Sequence, residues 1–382
     1  MADTRDAGMR PADAAAGPFR GEVVYIHAFD VAYDMKREPI ENLLGRKVEE
    51  YSIGPTKRSP RYLFFYRPLM VKLPAEERKV RGRAVRITRT VKVFAVGAIS
   101  IQMRVPFEVE RLSDLVAYHG LAFDGVSLDD EMRTIAENVR RELEPYCVGP
   151  VGELRESEDY TAFAIESLPS PAERGMSSAE DWLVANRRQV AGLLTEEEDV
   201  AHLSRRKAEE ATARYLSYYD DDLVVADWDA ALLVGQVEDL EDVIHIMEVA
   251  NVQLLELETY DRLLDGALEA SYRDVARWRT RARRKVRRNL REIRVDLARL
   301  SDELVNISKF FGDWHLARIY QNVSARFHLA EWHRIIDEKL DTLAELYDML
   351  QQDRVNFWMV ILEITIVLLF IVDVVLLVMG RD

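Results

Sequence analysis

Cysteine is almost missing from this chain of 382 residues: Cys147 stands alone. One thiol excludes an intramolecular disulfide and a thiolate metal cluster, and it suits a reducing compartment such as the cytosol. Proline is absent after Pro171, so no residue in the second half of the chain interrupts a helix by lacking its amide proton. The recognisable catalytic signatures are missing too. There is no GxSxG elbow, no P-loop and no dinucleotide fingerprint, and Cys147 has no histidine near it in sequence. His328 and His333 are five apart, outside the i, i+4 spacing of a helical zinc pair. His315 beside Asp313 reads as a polar pair at a helix start, and Gly97 as turn chemistry. The expectation is a protein that is not an enzyme, with no catalytic residue, no metal, no cofactor and no small-molecule substrate. The amino end, MADTRDAGMRPADAAAGPFRG, has no apolar stretch and mixes acids with its arginines. It fits neither a secretory signal nor a mitochondrial transit peptide, and residues 1–20 read as a disordered lead. Basic charge is in deficit, 52 Lys and Arg against 67 Asp and Glu for a net −15, which argues against nucleic acid as the partner of the whole surface.

What is present divides the chain by pattern. The hydrophobic content of 48% supports packed cores, and the length suits two or three domains. Residues 21–234 read as a mixed α+β domain. Strands are expected at Glu22–Phe29, Arg61–Tyr66, Val85–Phe94, Ala98–Met103, Tyr160–Ile165 and Asp222–Val234, all rich in β-branched and aromatic residues. Helices are expected at Lys36–Leu44, Leu128–Leu143 and Ala179–Leu194. Strands and helices do not alternate regularly enough for a doubly wound sheet. Gly97 sits between VKVFAV and AISIQM, where a hairpin turn belongs.

Residues 235–352 read as a long-helix, coiled-coil-like domain, a helical hairpin or stalk. A first helix is expected over Val237–Arg279, with Val243, Met247, Val252, Leu255, Tyr260, Leu263 and Leu268 along one side. A second is expected over Lys285–Phe310. Phe311-Gly312 then breaks the chain and Asp313 caps a third helix. Its heptad seam is Leu329, Ile336, Leu343 and Leu350, flanked by Trp332, Leu346 and Tyr347.

That third helix is expected to run without interruption into residues 353–382. There, Asn356 to Gly380 reads NFWMVILEITIVLLFIVDVVLLVMG, long enough for the roughly 20 apolar residues that cross a hydrocarbon core. The expectation is a single-pass tail anchor with the bulk of the chain cytosolic, in a bacterial inner membrane. Arg354 and Arg381 flank the span symmetrically, so charge bias leaves its orientation open. Glu363 and Asp373 lie inside it, where a charged group at mid-bilayer costs about 2.5–3.5 kcal/mol. Ten residues turn a helix by about 1000°, leaving the two acids roughly 80° apart on its surface. Both can therefore face the middle of a bundle built with other copies or another protein, protonated or paired with a partner's cation. Thr365 can add an interhelical hydrogen bond.

Three stretches resemble a known family. ANVQLLELETYDRLLDGAL (Ala250–Leu268), SKFFGDWHLARIYQNVSARFHLAEWHRIIDEKLDTLAELYDML (Ser308–Leu350) and the acidic membrane helix look like the "required for meiotic nuclear division" family of membrane-anchored proteins, which includes yeast sporulation-related members. Leu362-Glu363 and Asp373 fall at that family's spacing of its acidic pair, with Ile364 in place of its tryptophan. The resemblance implies a membrane setting without a known reaction. Through a mitochondrial relative implicated in translation, it also implies a tether for ribosomes or RNA.

One charge feature stands against the acidic background. SYRDVARWRTRARRKVRRNLR, Ser271–Arg291, holds ten basic residues and a single acid, Asp274. Its Arg277, Arg279, Arg281, Arg283, Arg284, Lys285, Arg287 and Arg288 read either as a solvated helix corner or as a patch for anionic lipid or RNA phosphate, each cation near a membrane surface contributing about 1 kcal/mol. Three functional classes follow. The first is a noncatalytic membrane-anchored scaffold that homo-oligomerises through stalk and membrane helix. The second is a membrane tether for ribosomes or RNA, and the third a proton or cation pathway lined by Glu363 and Asp373.

Overall fold

A computed structural model of the chain describes residues 16–36, 38–51, 68–155, 157–169, 178–277, 295 and 314–379. In chain order the first strands are β1 (Ala16–Asp30), β2 (Ala32–Met35), β3 (Asn42–Leu43), β4 (Arg46–Lys47), β5 (Glu49–Glu50) and β6 (Leu69–Lys72). There follow β7 (Glu76–Val80), β8 (Arg83–Val93), β9 (Ala98–Arg111), β10 (Ala122–Phe123), β11 (Val126–Ser127), β12 (Cys147–Pro150) and β13 (Glu158–Ile165). The last strands are β14 (Tyr215–Leu216), β15 (Leu223–Ala226) and β16 (Ala230–Val234). The helices are α1 (Leu128–Leu143), α2 (Ala179–Leu194), α3 (Arg205–Ala211), α4 (Val237–Arg277), α5 (Trp314–Arg326) and α6 (Leu329–Met379). A sheet-rich amino-terminal region followed by helices is thus the fold class. A continuous helical stalk is not shown, because residues 278–294 and 296–313, where the second helix Lys285–Phe310 was expected, lie outside the described residues, as does the strand expected at Arg61–Tyr66.

Among the described residues the central sheet has ten strands, ordered β14-β15-β16-β13-β1-β9-β8-β6-β5 with β7 also on β8. Every pairing in it is antiparallel except β13 with β16. A parallel pair needs a crossover, and α2 and α3 lie in the segment between these two strands. Gly97 does make the β8–β9 turn: its φ is +94°, and a Cβ there would lie 2.0 Å from the Ala32 carbonyl oxygen. Only glycine fits both conditions. Its own carbonyl accepts the Val31 and Ala32 amides, each at 3.0 Å.

Alternation along the strands assigns the two faces. On β9, Ile99, Ile101, Met103 and Val105 join the large apolar core with Met132 and Val139 of α1 and Trp182 and Leu183 of α2. The intervening Ser100 and Gln102 point the other way, and they are buried as well. The cover on that second face is α4, whose residues between Val243 and Leu257 are buried almost all round. A helix buried on every side is a core element rather than an amphipathic surface one. Tyr320 of α5 hydrogen-bonds through its hydroxyl to Gln253 Oε1 of α4 at 2.6 Å.

The chain divides into two compact units: residues 1–256 with 302–330, and residues 257–301 with 331–382. In the first unit α4 contributes its first five turns. In the second, Lys339 of α6 reaches Asp261 at 2.7 Å and Asp265 at 2.6 Å, successive turns of α4.

Three expected elements differ from what forms. The strand expected at Asp222–Val234 is two, β15 and β16, paired antiparallel with Ala226 opposite Ala231. Lys36–Leu44 is not a helix: Asn42–Leu43 pairs with Arg46–Lys47. Leu44 and Gly45 carry that tight turn at φ +52° and +67°, the two positive values a two-residue hairpin needs. Pro39 within the segment also opposes a helix interior. The expected third helix is broken into α5 and α6 at Phe327-His328. There His328 has φ +52°, and both rings lean on Trp228, at 6.3 and 5.8 Å. No glycine or proline marks that break, because tertiary docking imposes it.

Candidate functional site

The polar face of the sheet and α4 meet in a closed ionic cluster. His245, Glu248 and Asn251 are spaced by three on α4, so they share one face. Glu248 is fully buried, and Lys92 of β8 is 2% exposed. The Lys92 ammonium pairs with Glu248 Oε2, and the Ser100 hydroxyl donates to Glu248 Oε1 at 2.7 Å. His245 Nδ1 lies 3.3 Å from Glu248 Oε2 and 3.4 Å from Lys92 Nζ. Tyr51 closes the group: its ring lies under the Lys92 ammonium, 4.0 Å from Nζ to centroid, and 4.5 Å from the His245 ring. Asn251 donates to the Glu158 carbonyl at 2.9 Å, fixing α4 to β13 as well.

Electrostatics hold the Glu248 carboxyl in its ionised form. Burial pushes the Glu248 carboxyl up, but the Lys92 ammonium and the His245 hydrogen bond overcome it and hold the group down at about 2. His245 moves below its ordinary value, through burial first and the neighbouring Lys92 charge second. Burial and the surrounding carboxylates raise the Tyr51 phenol. Beside this cluster Arg104 of β9 pairs with Glu22 at 2.9 Å and donates to Glu241 Oε2 at 2.7 Å. One guanidinium thus serves two carboxylates, and burial raises Glu22. The Lys92 ammonium and the Ser100 hydroxyl both meet the Glu248 carboxylate, an arrangement that fixes α4 on the sheet.

The residues singled out by sequence fare differently. Glu363 and Asp373 both sit exposed on α6, within Trp358–Leu376, the one helix among the described residues long and apolar enough to cross a membrane. None of that span is buried. Thr365 donates to the Ile361 carbonyl of its own helix at 2.8 Å. In the seam, Leu329, Ile336 and Leu343 are at most 1% exposed within a single chain, and Leu350 also lies in α6. Arg277 ends α4. Arg279, Arg281, Arg283, Arg284, Lys285, Arg287 and Arg288 lie outside the described residues, as does Asp313. Cys147 is buried on β12, its thiol 3.8 Å from Met35 Sδ and raised by burial, as an unreactive cysteine is. His333 pairs with Asp337 at 3.4 Å. Sequence reasoning missed the Lys92 cluster. The three-residue spacing of polar groups inside an otherwise apolar stretch, VIHIMEVANVQLLELE, was the available signal.

Residues 20–240, from β1 to the first turn of α4, match the family model described as the amino-terminal domain of the uncharacterized protein MJ0711. The chain belongs to this family. The MJ0711 protein of Methanocaldococcus jannaschii is 25% identical over 185 residues, 46% of this chain and 57% of that protein. The chain therefore spans little more than half of that relative's length. No solved structure matches it. Membership in the MJ0711 family overturns the resemblance to the meiotic nuclear division family. The stretches that carried it lie, where described, in α4, α5 and α6, with apolar residues at helical spacing. Such patterns recur wherever amphipathic helices pack, whereas the matched segment is the sheet.

Proposed function

We propose a noncatalytic, membrane-anchored assembly protein in which the Trp358–Leu376 helix spans a bilayer and associates there with other copies of the chain. The observation that carries this reading is that a span of mean hydropathy 2.8 has no burial inside its own chain, while bearing two carboxylates. Lipid satisfies the apolar side chains, for which water is a poor solvent. It does not satisfy ionised Glu363 and Asp373, whose cost falls when they take up a proton or when a neighbouring helix supplies a donor or a cation. The described seam residues on α6 already pack inside the chain, so the reading assigns association to the membrane helix. The sheet domain lies on the cytosolic side of a prokaryotic inner membrane in this reading, supported by the single buried Cys147. Protease protection in spheroplasts tests that side. The ribosome or RNA tether rested on the overturned resemblance and is not carried forward.

The test of association is the particle mass of the full chain in mild detergent. Glu363→Leu with Asp373→Leu is expected to shift the oligomer toward monomer, and an unaltered mass refutes the reading. Cation flux in reconstituted liposomes that vanishes in the same double variant would instead assign the two acids to a pathway.

A further inference from the structure

The sheet contains a topological switch point. Its one parallel pair, β13 and β16, ends at the same edge. The chain leaving β13 continues to α2, which packs on the large apolar face, and the chain leaving β16 continues to α4 on the opposite face. Connections that diverge to opposite faces leave a crevice outside the carboxyl ends of the strands, the usual position of a ligand site in such sheets. A cavity of about 590 Å³ opens there, lined by residues 166–168 after β13, 234–236 at the end of β16, the 218–222 loop and the starts of α4 and α5. That volume lies in the range of small-molecule sites. A second cavity of about 250 Å³ shares Glu166 and Leu240 with it and reaches Glu22 and Glu241.

The lining decides the class of ligand. Helix starts at a switch point ordinarily favour an anion, but six carboxylates line the larger cavity: Glu166, Asp220, Asp221, Asp222, Asp239 and Asp242. Among the described residues no lysine or arginine lines it. Low-dielectric walls around one sign of charge focus a cation-attracting field. The carboxylates are spread out: among the described residues no group of three or more His, Cys, Asp and Glu side chains could hold a metal ion. An extended cation fits where a compact one does not. Tyr218 and Tyr219 line it with rings 4.7 Å apart and nearly perpendicular, half or more of each exposed, and the Tyr218 ring also stands 5.2 Å from that of His315. Aromatic faces of this kind attract ammonium groups. Leu168, Val234 and Leu240 give the wall apolar stretches for methylene segments.

We propose that this crevice binds an aliphatic polyamine, its ammonium groups spaced along the carboxylates and its methylenes against the apolar wall. The test is calorimetric titration of the detergent-solubilised full chain with spermidine, at fixed ionic strength, alongside magnesium chloride. Saturable one-to-one spermidine binding is expected, which magnesium does not displace beyond its effect on ionic strength. Asp220→Asn with Asp221→Asn, both exposed, is expected to weaken that binding at least tenfold. Tyr219→Ala, which leaves the charge intact, is expected to weaken it about threefold to tenfold. Circular dichroism checks that each variant folds, and either one reports if the other does not. Absence of saturable spermidine heat, displacement by magnesium at matched charge, or unchanged affinity in the folded variants overturns the proposal. Glu363→Leu with Asp373→Leu leaves the binding unchanged if the crevice is the site, which separates this test from that of membrane association.

Discussion

Glu248 and the pair Glu363 and Asp373 pose the same physical problem, a carboxylate among apolar side chains, and the two regions handle it differently. In the sheet domain the chain carries its own remedy: Lys92, Ser100 and His245 surround Glu248. On α6 the two acids sit on an apolar span with no buried residue. Buried charge that is compensated inside one chain fixes that chain's own architecture. In the proposed reading, charge on a lipid-facing helix selects a neighbour. The contrast then separates a self-sufficient fold from an element that assembly completes.

The largest expected effect breaks the remedy. Lys92→Met leaves Glu248 buried without its cation, and losses of that kind run to about 3–5 kcal/mol. Denaturant unfolding of the full chain in mild detergent, followed by far-ultraviolet circular dichroism, checks this. The double variant Lys92→Met with Glu248→Leu removes both charges and is expected to recover most of the loss. If it is as unstable as the single variant, the cost lies in packing rather than in the orphaned carboxylate.

Acid should reach the same cluster without mutation. Glu248 titrates at about 2 in the fold against 4.5 in the unfolded chain. A carboxyl held low in the native state lends stability that is complete above the unfolded value and fades as pH falls toward the folded one, here up to about 3 kcal/mol. His245 is also held below its ordinary 6.5, so its neutral form stabilises the fold above that pH and loses ground below it. Both slopes have the same sign: stability declines below about pH 6.5 through His245 and between about 4.5 and 2 through Glu248. Denaturant midpoints at a series of pH values measure this, and in the Glu248→Leu background the decline between about 4.5 and 2 should be shallower.

A milder version of the same contact tests the role of burial. Lys339 bridges Asp261 and Asp265 with its side chain 23% exposed, and pairs in contact with water contribute about 0.2–1 kcal/mol. Lys339→Met should therefore cost several times less than Lys92→Met in the same assay. Equal losses would show that position in the fold, and not desolvation, sets the size of the effect.

Legibility in the sequence followed the range of the forces. Local signals sufficed for α1 and α2, where Ser127 and Ser178 cap helices that begin where the pattern places them. They sufficed for the Gly97 turn and for the apolar span, where a single residue or a single run carries the physics. They failed at Lys36–Leu44, where a short hairpin outweighs a helix-like composition, and at Phe327-His328, where packing on Trp228 breaks a helix that has no breaker. The polar cluster stayed hidden for a related reason. Alternation along AISIQMR marks Ser100 and Gln102 as belonging to one face, but only the fold reveals that α4, more than a hundred residues later, covers that face.

The smallest expected effect on stability is the most discriminating. Glu363→Leu with Asp373→Leu replaces exposed residues that have no part in the sheet domain, and substitutions away from buried features stay within about 0.5 kcal/mol. The unfolding midpoint of the sheet should not move, even as the particle mass in mild detergent falls. That pairing of outcomes is what a self-contained domain and a neighbour-dependent helix require. A sheet that loses stability along with the oligomer would mean that assembly in the membrane holds the domain together. The difference between the two kinds of carboxylate would then be one of degree, with Glu248 relying on the neighbouring copies as much as Glu363 does.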